Sequence, residues 1–114
     1  MSHLQSISRW VARFDPHVTV VPHNRKVLQK RQDITGRQIC RVQEMYLLHR
    51  QSPKCYDSLL AAISLANRLT MDRNAPVFGE NTEILAEKAQ LARVLPGDQG
   101  LYQVTLSVTT DLEE

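Results

Sequence analysis

The chain has 114 residues, 42% apolar and 23% charged, with a net charge of +2. That is one ordinary domain, able to bury about two-thirds of the surface its unfolded form exposes, and its composition is globular rather than disordered. The longest apolar run, Leu59 to Ile63 extended past one serine through Ala66, falls far short of the ~18 residues a bilayer span needs, which excludes a helical membrane protein. No charged segment followed by an apolar one opens the chain, which predicts the absence of a secretion signal.

The first element reads as a helix over residues 2–14. Ser2 with Gln5 fits a capping box. Leu4, Ile7, Val11 and Phe14 recur at helical spacing with Trp10 beside them, and Asp15-Pro16 ends the run. His17 to Val21 is β-branched and reads as a short strand over 17–22, which Pro22 ends or confines to an edge. Residues 23–37 are polar, basic and weakly patterned, and read as an extended loop with at most a short strand at Val27-Leu28.

Residues 37–50 fit either period. As a strand, Cys40, Val42, Tyr46 and Leu48 share a face that Glu44 interrupts; as a helix, Ile39, Val42 and Tyr46 align. After a turn at Gln51 to Lys54, Asp57 is a candidate cap for a helix over 57–71 whose stripe is Leu59, Ile63, Ala66 and Leu69. Residues 72–80 form a loop with Pro76 and Gly79. Residues 82–95 have helix-favouring composition, but a strong turn follows at Pro96 to Gly100. The last element then alternates Tyr102, Val104, Leu106 and Val108 with Gln103, Thr105, Ser107 and Thr109, the mark of a strand with one buried face. A clean strand after a tight turn calls for an antiparallel partner, which favours a strand over 86–95. Residues 111–114 read as a short acidic tail. Leu60, Ile63, Val104 and Leu106 are the expected core.

Charge is unevenly divided. Residues 1–54 hold ten Lys and Arg against three Asp and Glu, a net +7, while residues 55–114 hold four against nine, a net −5. Such a split suits a nucleic-acid face or a subunit whose basic surface meets an acidic one on its neighbour, or it is simply mixed away by folding. The basic candidates are Arg25, Lys26, Lys30, Arg31 and Arg37, with Arg41 nearby; the acidic ones are Glu80, Glu83 and Glu87. No aromatic residue lies between Phe14 and Tyr46, so stacking on single strands has no support. A helix-turn-helix requires 37–50 and 57–71 both to be helices, and the second is too apolar for a groove.

Signs of catalysis are lacking. The four glycines make no phosphate loop, and the four histidines have no metal-pair spacing. Cys40 and Cys55, with no CxxC, read as unbridged thiols of a reducing compartment. The expectation is therefore no catalytic residue, no metal and no cofactor.

The order of elements adds a resemblance. An amphipathic helix, HVTVV, a basic stretch, RQICRVQEMYLLHR, then CYDSLLAAISLANRL and AQLARVLPGDQGLYQVTLSVTTD together resemble the minor capsid and tail-completion proteins of tailed bacteriophages, including the tail-terminator type. The matching positions are Tyr56, Leu60, Ala66-Asn67 and Leu69 in the helix, and Arg93, Asp98, Gly100 and Tyr102 around the closing turn. The resemblance implies a long strand at 37–50 and a final hairpin. The expected fold is therefore α+β: a small mixed or antiparallel sheet with strands near 17–22, 37–50, 86–95 and 101–110, packed by helices at 2–14 and 57–71. It further implies a non-enzymatic virion protein, assembled in the host cytoplasm. Such a protein forms a ring of identical subunits, a hexamer by resemblance, at the tail end or head–tail joint. There it would contact the tail tube and connector proteins while DNA passes without sequence-specific contact. The basic residues would then face the opening or a neighbouring subunit, and the acidic ones would lie at an interface. A small basic nucleic-acid-binding or regulatory protein is the alternative, and a small inhibitory binding protein the third reading.

Overall fold

A computed structural model describes residues 3–79 and 81–113, with Glu113 described in its backbone only. Two helices and four strands follow in the order α1 (Leu4–Ala12), β1 (Thr19–Gln32), β2 (Gln38–Ser52), α2 (Cys55–Met71), β3 (Glu83–Leu95) and β4 (Gln99–Glu113). The strands form one antiparallel sheet in the order β1-β2-β4-β3, and both helices pack on one face of it, giving an α+β fold. The molecule is long and narrow, 59 × 24 × 19 Å.

Period-two patterning decides the sheet. On β2, Cys40, Val42, Tyr46 and Leu48 are buried, and on β4 so are Tyr102, Val104, Leu106, Val108 and Thr110. Register joins them: Leu48 lies opposite Val104, Tyr46 opposite Leu106 and Val42 opposite Thr110. Ile7, Trp10 and Val11 of α1 and Ala62, Leu65 and Leu69 of α2 close over that face and complete the core. Glu44 shares the face and is buried, with Oε2 accepting a hydrogen bond from the Tyr46 hydroxyl.

Several expectations are corrected. The extended loop at 23–37 is strand: β1 continues to Gln32, pairing with β2 as far as Gln38, and only residues 33–37 turn. Weak propensity is overridden here because β2 supplies a full-length antiparallel partner. Pro22 is tolerated because β1 is an outer strand with a register shift between Pro22 and Asn24. The turn is held by the Asp33 carboxylate, which accepts from the Thr35 and Arg37 amides at 2.9 and 3.0 Å, with Gly36 at φ +84°. The helical composition of 82–95 likewise yields to pairing with β4. The acidic tail is the end of β4 through Glu113.

In α2 the phase of the stripe is wrong by about a quarter turn. Ser58, Ala62, Leu65 and Leu69 are buried, whereas Leu60 and Ile63, expected in the core, are 64% and 42% exposed. Val104 and Leu106 are fully buried as expected. Asp57 does not cap α2. The helix starts at Cys55 after Lys54 with no side-chain cap, and Asp57 lies in its first turn. α1 is shorter than expected, begins after His3 and carries no side-chain cap. The proposed cap Ser2 lies outside the described residues.

Candidate assembly surfaces

Sheet order places the two charged segments on opposite flanks. β1 and β3 are the outer strands, separated by β2 and β4, hence about 14 Å apart at ordinary strand spacing. β1 carries Arg25, Lys26, Lys30 and Arg31 and no carboxylate, while β3 carries Glu83 and Glu87 along with Lys88 and Arg93. The basic residues share one strand but not one face. Register places Arg25 opposite Glu44 and Lys30 opposite Cys40 on the helix side, and Lys26 opposite Gln43 and Arg31 opposite Ile39 on the open side. Arg37 belongs to the turn. Glu87 falls at the register shift between Ala86 and Lys88, and Glu80 lies outside the described residues.

Both outer strands are broken by two register shifts each, and β1 also carries Pro22 and two lysines. These devices blunt a sheet edge against indiscriminate strand pairing. Contact at either flank therefore falls to side chains more than to a continuous backbone ladder.

Among the described residues, none forms a layer over the sheet face opposite the helices. Met45, Leu47, Gln103 and Thr105 are half-buried there by their neighbours within the sheet alone. Gln43 donates to the Ser107 hydroxyl at 2.9 Å across β2 and β4. Register adds Lys26, Arg31, Arg41, Lys88 and Arg93 to this face, against Glu83 and Asp111. Asp111 is the shared acceptor of Arg31 at 3.1 Å and Arg41 at 3.5 Å, and Asn81 donates to it as well. The sequence alone leaves Asp111 in a tail, because pairing between distant strands leaves no local signal.

Two partly buried polar clusters fasten α1. At its start, His3 stacks on Phe78, its backbone N–H donates to the Tyr46 hydroxyl, and its Nε2 lies 3.5 Å from Glu44 Oε1. Among the described residues neither His3 Nε2 nor Glu44 Oε1 finds a hydrogen-bond partner. Burial lowers the His3 pKa from its ordinary value, and the charge of Glu44 opposes this without reversing it. Beyond its end, Asp15 accepts from the Tyr102 hydroxyl at 3.2 Å and pairs with Arg50 at 3.1 Å. Burial, followed by the Asp15 charge, pushes the Tyr102 hydroxyl up to about 12. A third tie runs from Trp10 Nε1 to Asp72 at 2.5 Å, holding α1 against the end of α2.

Glu44 also lines a recess of about 340 Å³ with Pro22, His23, Asn24, Arg25, Met45 and Tyr46. Among the described residues no three His, Cys, Asp or Glu converge as metal ligands, and no helix is long and apolar enough to cross a membrane. Cys40 is buried and Cys55 half-buried, and they form no disulfide. The helix-turn-helix reading fails because residues 38–52 are strand. No protein-family model matches the chain, and no curated protein matches it.

Proposed function

We propose that this chain is a structural, non-enzymatic assembly protein of a tailed phage. Its copies close into a ring at the tail end or head–tail joint, ending the tube and joining its neighbours. One observation carries the reading: the two outer strands of a single sheet differ in charge, with β1 purely cationic and β3 mixed, its Glu83 and Glu87 offset by Lys88 and Arg93. A contact between unlike flanks is heterologous, and repeated by rotation it closes a ring. With all copies in one orientation, β1 of one subunit and β3 of the next run antiparallel, since four alternating strands leave the outer two opposed. The bulged edges oppose endless sheet growth, as a closed assembly requires.

The bulkier helical layer then takes the wider outer circumference, and the open face turns inward. Its excess of cations over carboxylates suits DNA passing without base readout. Six copies is the number the phage resemblance suggests, with the tail tube and connector proteins as partners and the virion as final location.

Light scattering over a concentration series, with electron microscopy of the largest species, tests this. The expected result is a ring several times the 13.0 kDa subunit mass. A subunit that stays monomeric even beside tail tubes overturns it. The basic ribbon also favours the nucleic-acid-binding alternative. That reading predicts a monomer with duplex affinity that falls steeply with salt and is lost in Lys30→Glu with Arg31→Glu.

A further inference from the structure

We propose that the open face of the sheet is a binding surface for the phosphate backbone of duplex DNA, contacted by Lys26, Lys88 and Arg93, with Asp111 limiting how tightly it holds. The inference deepens the ring reading, on which it rests for the direction this face takes in the assembly. Register places five cations on the face, Lys26, Arg31, Arg41, Lys88 and Arg93; among the described side chains the carboxylates there are Glu83 and Asp111. Five against two leaves an excess of positive charge on one side of the sheet. Such a surface is the complement of a polyanion and repels a second face like itself.

The five cations are not equivalent. Asp111 accepts from both Arg31 and Arg41, so one carboxylate engages two guanidinium groups near the turn between β1 and β2. Lys26, Lys88 and Arg93 are exposed and carry no ion pair among the described residues. Lys26 stands on β1 and the other two on β3, so they border both edges of the face. Between them lies a strip without charge, formed by Gln43, Met45, Leu47, Gln103 and Thr105. Its amides and hydroxyl can donate to phosphate or sugar oxygens without reading a base. The face has no Phe, Tyr or Trp, so it offers unpaired bases nothing to stack on, and the polymer it suits is a duplex. A hold through three free cations is weak and strongly screened, which lets a duplex move past it.

Fluorescence anisotropy of the full chain with a labelled DNA duplex of mixed sequence, read over a salt series, tests this, and circular dichroism checks the fold of each variant. The wild type should bind the duplex more tightly than a single strand of the same sequence, with affinity falling against salt at a logarithmic slope of about −3. Lys26→Gln with Lys88→Gln should make that slope shallower by about two. The charge-matched pair Arg25→Gln with Lys30→Gln, on the helix side of β1, should leave it unchanged. Asp111→Asn should free Arg31 and Arg41 and steepen it. A slope that Asp111→Asn leaves at the wild-type value overturns the role given to Asp111. Absent binding at low salt, tighter binding to the single strand, or a loss that follows the helix-side pair overturns the whole inference, and rings seen by electron microscopy in the same preparation leave the ring reading standing. A chain that binds duplex through this face yet never assembles supports the surface and overturns the ring reading alone.

Discussion

Gly100 shows how one hydrogen atom sets the distance between layers. A methyl group there would stand 2.5 Å from Ser58 Oγ, 2.8 Å from the Cys55 backbone and 3.0 Å from Leu91. The serine could turn away, but the Cα of Cys55 belongs to the first residue of α2. Gly100→Ala is therefore expected to lift the start of that helix and to cost about 1–3 kcal/mol, the usual range for overpacking, read as a lowered denaturation midpoint. Tyr102 makes a second residue-scale prediction. Its unfolded form ionises near 10, whereas the folded form keeps its proton to about 12. Across that window the folded state binds more protons, so stability falls as pH rises. Tyr102→Phe should flatten the decline in alkaline denaturation curves. His3 acts at the other end of the scale. Its lowered pKa means that the unfolded chain takes up the proton first. Its contribution is intact above about 6.5 and erodes as pH falls below that. His3→Gln should reduce this acid-side slope.

At the scale of elements, legibility followed the strength of the local pattern. The alternation in β4 and the helical stripe of α1 were plain, because each element has one buried face. In sequence β1 shows only six strand residues and a loop, because its outer half buries almost nothing. Its order comes from β2, and no sequence window contains both sides of that ladder. β3 shows the same override, since a helix-favouring composition gave way to register with β4. α2 was located correctly but its phase was not. With apolar residues on two faces, hydrophobicity cannot say which face is inside, and the small residues Ser58 and Ala62 mark the buried one because the helix lies close against the sheet. The distinction is measurable. Leu106→Ala should cost about 2–4 kcal/mol as a cavity mutation, whereas Leu60→Ala in the isolated subunit should cost about 0.5 kcal/mol or less. Chemical denaturation of the two variants side by side checks the assignment. The site candidates divided in the same way: the basic and acidic residues were visible as types, and their separation onto opposite flanks needed the strand order.

For the whole molecule, function is read from what one copy leaves uncovered: a bare sheet face, unlike flanks and an apolar stripe. Under the ring reading, Glu83→Lys with Glu87→Lys should suppress assembly, and combining it with Lys26→Glu and Lys30→Glu should restore it, with mass in solution as the readout. The strand order carries a kinetic consequence as well. β4 is synthesised after β3 yet lies between it and β2, so β3 waits for β4 to join it to the β1–β2 hairpin. A nascent chain ending at Leu95 has its β1–β2 hairpin but no means of seating β3 or roofing it with α2. Folding must then be late, non-local and slow for a chain of this length. Until β4 emerges, the waiting segments are exposed to whatever chaperones or proteases reach the ribosome exit.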